Sequence, residues 1–274
     1  MKNKYSQIID KLEAEGNFDH HVTPISKNYR QLNPDKFEYL PKNIFYLICQ
    51  FLVRVILFIF TPLVTFFGIG LKIKGRKNLK AIKGKGAIVV SNHVLALESL
   101  AMRQIRYFSH VYYISLQENY FKGIGGPALK MGGILPLSQN LKLDRKLDES
   151  IVKIVNKKGF VITYAEQSLW PKYTKIRPLK RGAFVFSAKH NFPILPVVLL
   201  FNKPKWYDKM FGRDYSLTLQ ILPPIFPDQN KPLKESVTDM QIQTHKVLVD
   251  CATAHYGEDA DATHYIKDQT KKEA

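Results

Sequence analysis

The sequence predicts an α/β domain: a largely parallel, twisted sheet flanked by helices and preceded by an apolar N-terminal helical hairpin. Three observations carry this expectation. Short β-rich apolar runs alternate with helical patterns from residue 87 to about 222, the alternation that builds parallel sheets through crossover helices. Residues 44–71 form an apolar run whose single charge is Arg54. Both flanks of that run are basic.

Taken in order, the opening "MKNKYSQIIDKLEAEG" is too polar for a secretory signal and suits a short amphipathic helix. Residues 1–43 read as a polar, peripheral segment. The run 44–71 is long enough to cross a bilayer, which takes roughly 20 helical residues. Pro62, Gly68 and Gly70 interrupt it, and a break at "FTPL" leaves two pieces each too short to span. That favours a hairpin dipping into one leaflet over a single span. A buried core helix is disfavoured because the run has almost no polar face. Lys36 and Lys42 precede the run, and Lys72, Lys74, Arg76 and Lys77 follow it. Basic flanks on both sides place both ends at the cytoplasmic face of the cell membrane, against anionic lipid.

Residues 72–261 read as the catalytic domain and 262–274 as a polar tail. Within the domain, "AIVVS", "HVYYIS", "ILPL", "FVITY", "PILPVVLLF" and "YSLTLQIL" suit strands. Helical patterns cover "LALESLAMRQIRYF", a glycine-interrupted "ENYFKGIGGPALKMGG", "GAFVFSAKH" and a closing "KESVTDMQIQTHKVLVDCATAHYG". In "LDRKLDESIVKIVNKKG", Leu147, Ile151, Ile154 and Val155 share one face and Gly159 ends the helix.

The net charge of +18 predicts anionic partners, and by itself does not choose among membrane surface, nucleic acid and a phosphorylated substrate. No nucleic-acid motif accompanies it, and the apolar run points to membrane lipids. Cys49 and Cys251 are two distant cysteines, giving neither a disulfide framework nor a zinc spacing, and suit a reducing compartment. His20 and His21 lack further clustered ligands, so no metal site is expected. Trp170, Trp206, Tyr173 and Tyr207 suit either a lipid interface or the core. The absence of a G-x-S-x-G elbow leaves a covalent serine mechanism without support.

"SNHVLALESL" carries the candidate chemistry. Residues five apart lie roughly 140° apart around a helix, so His93 and Glu98 meet only if the histidine sits in the loop before it. A strand ending at Ser91 and a helix beginning near Glu98 supply that setting. The carboxylate would then fix the imidazole tautomer, leaving the other nitrogen to take a proton from a hydroxyl. The spacing alone equally fits a polar loop residue and a solvated helix residue.

"SNHVLALES" resembles the N-H-x4-D motif of the glycerophospholipid acyltransferase family, of the lysophosphatidic-acid (PlsC-like) type. "GGILPLSQN", "KKGFVITYAEQS" and "NFPILPVV" resemble its second, third and fourth motifs, in order, over residues of about 70–230. "YAEQSLW" and the following "RPLKRGAF" look closest to a bacterial branch with Y-P-E-x-S-L-W-P in place of F-P-E-G-T-R.

The resemblance implies an α/β fold and His93 as general base, with Glu98 in the place of the orienting aspartate. It places Glu166 in the third motif, with Gln167 and Ser168 standing for Gly-Thr. Pro193 and Pro196 shape the fourth motif beside the acyl chain. The family's two phosphate-binding arginines are replaced: Ser138, Gln139 and Asn140 occupy the end of the second motif, and Leu169 the end of the third. Arg177, Lys180 and Arg181 are the candidate substitutes, with Lys172 and Lys175 nearby; Lys180 and Arg181 precede the expected helix start at Gly182, a favourable place for an anion. The implied function is membrane-bound O-acyl transfer from acyl-CoA or acyl carrier protein to a lysophospholipid or related lipid, with the thioester as co-substrate and no cofactor. The alternative is a catalytically impaired lipid-binding or scaffold member.

Overall fold

A computed structural model describes residues 5–24, 27–106 and 110–263. Its seven strands are β1 (Lys72–Lys74), β2 (Ala87–Ser91), β3 (Val111–Ser115), β4 (Ile134–Pro136), β5 (Phe160–Tyr164), β6 (Ile194–Asn202) and β7 (Ser216–Ile221). They form one sheet in the order β1-β7-β6-β2-β5-β3-β4. Five strands, from β6 to β4, are mutually parallel; β7 runs antiparallel to β6, with β1 parallel to β7. The largely parallel sheet expected from the alternating pattern is therefore present. β2 sits at its centre, paired on both sides and fully buried, as expected for the continuous apolar run "AIVV".

The side chains of β2 alternate between two apolar layers. Ile88 and Val90 face α5 (Leu141–Asn156), α6 (Gly182–His190) and α8 (Leu233–Tyr256). Ala87 and Val89 face the other side, with α1 (Ser6–Ala14) and α3 (Glu98–Met102). The amphipathic reading of α5 holds: Leu147, Ile151, Ile154 and Val155 are all buried. Its N-terminus is capped by Asn140, whose Oδ1 accepts from Lys142 and Leu143 N–H. The second-motif residue Asn140 thus serves the helix start. α2 (Ile44–Ile69), α4 (Gly125–Met131) and α7 (Trp206–Met210) complete the described α-helices.

Two expectations are corrected. The apolar run is one continuous helix, α2 (Ile44–Ile69), and not a hairpin. Pro62 removes one donor but does not end the helix. The Thr65 hydroxyl donates to the carbonyl of Thr61 at 2.8 Å, close to the proline. Gly70, in the left-handed region at φ 57°, ends the helix. A Cβ there would meet the Ser216 Cβ at 2.9 Å, which restricts the position to glycine.

The N-terminal segment is not peripheral. Ile9, Leu12, Phe18 and Val22 are buried in the same core layer as Val89 and Trp170. Trp170 is fully buried, so its reading as a lipid anchor is withdrawn, whereas Trp206 is exposed. Of the tail, Ala262 is buried in the core, and residues 264–274 lie outside the described residues.

Candidate active site

β2 ends at Ser91 and β5 at Tyr164, on neighbouring parallel strands. Crevices at the carboxyl ends of such strands are the usual ligand sites of α/β sheets. Asn92 locks the first turn: its Oδ1 accepts from Leu199 N–H at 2.9 Å and its Nδ2 donates to the Leu199 carbonyl at 3.0 Å. The next residue, His93, is thereby held in the loop, and α3 begins at Glu98.

His93 Nδ1 is hydrogen-bonded to Glu98 Oε1. A carboxylate only accepts, so Nδ1 carries the hydrogen and Nε2 is left with its lone pair. Glu98 is buried, and its second oxygen accepts from Val94 and Leu95 N–H, each at 2.9 Å. The longer side chain of glutamate therefore bridges the loop and the imidazole at once. The His93 ring stacks on Tyr164, centroids 4.4 Å apart and planes within 11°. Burial, and then the Glu98 charge, hold the Tyr164 phenol well above its usual range. His93 Nε2 has no hydrogen-bond partner among the described residues, and the histidine side chain keeps 22% of its exposure.

That exposure opens into a cavity of about 990 Å³, at the upper end of the usual ligand-site range. Apolar lining residues come from α2 (Val53, Leu57), β3–β4 (Ile114, Ile134) and α4 (Leu129). Polar ones come from the N-terminal segment and the residues after β5 (His21, Thr23, Gln167, Lys180), and also from Arg103, Asn119 and Asp148 elsewhere in the wall.

Glu166 and Arg177 form the second constellation, and here an expectation fails. Both are fully buried, with Glu166 Oε2 at 2.9 Å from Arg177 Nη2. Glu166 Oε1 accepts from Arg177 N–H at 2.9 Å, and Oε2 also accepts from His93 N–H at 3.1 Å. Arg177 Nη1 donates to Ser168 Oγ at 2.8 Å and to the Phe18 carbonyl at 3.2 Å, and the guanidinium lies 4.6 Å from the Trp170 ring centre. Arg177 and Ser168 have no surface left for a substrate phosphate; they fasten the loop after β5 to the Phe18 carbonyl of the N-terminal segment, and Glu166 carries the bond on to the histidine loop. The sequence could not reveal this, because a cation that binds a ligand and one that closes a buried network look alike.

The other expected residues separate. Gln167 is exposed, lines the cavity and adopts φ 65°. That conformation is the one a glycine adopts most readily. Lys180 also lines the cavity, paired with Asp19 at 2.6 Å. Arg181 is exposed at the start of α6 and Lys175 pairs with Glu13; neither Lys172, Lys175 nor Arg181 is among the cavity-lining residues. Pro193 and Pro196 are buried at β6 and do not line the cavity, correcting their placement beside an acyl chain.

The bridging role of Glu98 gives a first prediction. Glu98→Asp is one methylene too short to keep both the Nδ1 contact and the two N–H contacts. Losing one charge-assisted hydrogen bond, about 1.5–3 kcal/mol, lowers turnover about 10–100-fold. Steady-state kinetics of the purified variant measure it; equal or faster turnover would show that the longer side chain has no such role.

Residues 70–200 match the family model described as Acyltransferase. A curated relative, 1-acyl-sn-glycerol-3-phosphate acyltransferase alpha of Ovis aries, is 25% identical over 175 residues, covering 61% of this chain and 58% of that one. The chain thus spans less than two-thirds of that relative's length. The crystal structure of the 1-acyl-sn-glycerophosphate (LPA) acyltransferase PlsC from Thermotoga maritima aligns with a TM-score of 0.47 and 19% identity, covering 74% of this chain and 88% of that one.

Proposed function

We propose that this protein is a membrane-bound O-acyltransferase that moves a fatty acyl group from a thioester, acyl-CoA or acyl carrier protein, to the hydroxyl of a lysophospholipid or related lipid. The observation that carries the reading is the His93–Glu98 pair at an apolar cavity with Nε2 unpaired. The match of residues 70–200 to the acyltransferase family model supports the same chemistry. His93 Nε2 takes the proton of the acceptor hydroxyl as the oxygen attacks the thioester carbonyl carbon. The carbon–sulfur bond then breaks and the thiolate takes the proton back from the imidazolium, leaving an ester and a free thiol. Glu98 holds the tautomer and offsets the positive charge on the ring. The nucleophile is the substrate's own hydroxyl, so no acyl-enzyme forms. The test is transfer of labelled acyl groups from each thioester to a panel of lipid acceptors by purified protein; label on the protein and none on lipid would exclude direct transfer.

The membrane reading rests on α2, whose 26 residues are about 39 Å long. The helix is docked along its length. Lys130 lies 5.4 Å from the Tyr46 ring centre, Arg54 contacts His110 and lies 4.9 Å from the Tyr112 centre, and Gln104 Nε2 donates to Thr65 Oγ1. Arg213 Nη1 donates to the Phe66 carbonyl at 2.7 Å. Its other face is apolar and exposed, including Phe51, Ile59 and Phe66 at 53–65%. A helix tied to the domain at both ends lies in the plane of one leaflet, on the cytoplasmic face, rather than crossing the bilayer. Replacing Phe51, Ile59 and Phe66 together by serine removes about 1.5–3 kcal/mol of apolar burial each. That triple variant is expected to stay in solution when wild type floats with anionic vesicles; flotation equal to wild type would refute the in-plane placement.

A further inference from the structure

We infer that residues Asn17–Pro24 form the acceptor-side wall of the active site, a fixed strap in which His21 and Thr23 bind the polar headgroup of the lipid acceptor. The inference rests on the acyl-transfer reading and extends it to a segment outside the matched residues 70–200.

Three layers of chain connect the strap to His93. The innermost is the histidine loop, whose carbonyls at His93 and Val94 accept from Trp170 and Lys172 N–H at 3.0 and 2.9 Å. The middle layer is the third-motif loop, residues 166–172. The outer layer is the strap: the Phe18 carbonyl accepts from Arg177 Nη1, and the His20 carbonyl accepts from Trp170 Nε1 at 3.0 Å. The Phe18 ring packs 5.9 Å from Trp170, and both are buried. Asp19 closes the outside by pairing with Lys180, itself a cavity-lining residue. The strap is therefore part of the cavity wall, and its carbonyls accept from two buried groups of the neighbouring segment, Phe18 from Arg177 Nη1 and His20 from Trp170 Nε1.

The chemistry of this wall assigns its ligand. The strap brings His21 and Thr23 to the cavity, beside Gln167 and Lys180 from the segment to which it is bonded. These are hydrogen-bonding side chains with one cation, Lys180, whose charge is shared with Asp19, suited to a headgroup bearing hydroxyl or phosphate oxygens. The apolar side chains from α2 and β3–β4 suit acyl chains, and the polar pair on that side, Ser115 and Asn119, is already hydrogen-bonded together at 2.8 Å. A single-chain lipid with a free hydroxyl, its headgroup at the strap, satisfies both surfaces.

The experiment compares full-length wild type with the double variant His21→Ala/Thr23→Val. The probes are lysophosphatidic acid and monoacylglycerol as acceptors, and an acyl-CoA as donor. Equilibrium binding of each acceptor is measured first, because it needs no turnover. Losing two hydrogen bonds is expected to weaken acceptor binding about tenfold, with the melting temperature and acyl-CoA affinity unchanged. This result supports the strap even if the transfer chemistry proved different. Where transfer is measured, the acceptor KM rises by the same factor and the donor KM does not. Unchanged affinity for both acceptors, a loss confined to acyl-CoA, or failure of wild type to bind either acceptor would each overturn the assignment.

Discussion

His93→Ala is expected to lower acyl-transfer turnover by about 10²–10⁴-fold, the usual contribution of a positioned general base. Glu98 remains bonded to Val94 and Leu95 N–H in the variant, so the loop keeps its shape. The His93 side chain is partly exposed, and its backbone contact to Glu166 survives the substitution. The variant loses one charge-assisted bond to Glu98, so it is expected to be less stable by about 1.5–3 kcal/mol yet to remain folded and to float with vesicles as before. Loss of activity with loss of folding would place His93 among structural residues. Loss of activity alone places it at the chemistry.

The second large effect is on stability. Arg177→Met leaves the Glu166 carboxylate buried without its ion partner, a change that costs about 3–5 kcal/mol. That is a large share of the roughly 5–15 kcal/mol that holds a domain together. Arg177→Lys does not rescue it, because one ammonium cannot reach Glu166, Ser168 and the Phe18 carbonyl as the planar fork does. Adding Glu166→Gln to Arg177→Met removes the stranded charge. The double variant is expected to be more stable than the sum of the two single losses, a coupling read from a urea-unfolding cycle. Additive losses would mean that the pair is not a unit. Because Glu166 also accepts from His93 N–H, residual activity should fall in step with this coupling.

The sheet was legible because its strands are apolar runs bounded by turn residues, and burial of β2 on both faces leaves that mark on composition. The His93–Glu98 contact was legible for a geometric reason: the spacing forbids a shared helix face and so demands a loop before the helix, which Asn92 and the start of α3 provide. The misreadings share a cause. Arg177 looked like a phosphate ligand because sequence records its charge and not its enclosure by Phe18, Ser168 and Trp170. The N-terminal segment looked peripheral because only a few apolar residues, Ile9, Leu12, Phe18 and Val22 among them, seat it in the core. Its main bonds run through backbone carbonyls, which every residue has. Pro62 suggested a turn because its local cost is visible in sequence, whereas the contacts that dock the continuous α2 on the domain come from residues far away, Gln104 and Arg213.

The most direct test is a labelled-acyl transfer assay on vesicles, with purified wild type and His93→Ala side by side, each given acyl-CoA or acyl carrier protein donor and a lysolipid acceptor. Wild type should yield labelled diacyl lipid and one free thiol per ester, with no label on protein, and His93→Ala should yield at most about a hundredth of that rate. Equal rates from the two proteins, or label retained covalently on wild type, would contradict direct transfer with His93 as the base.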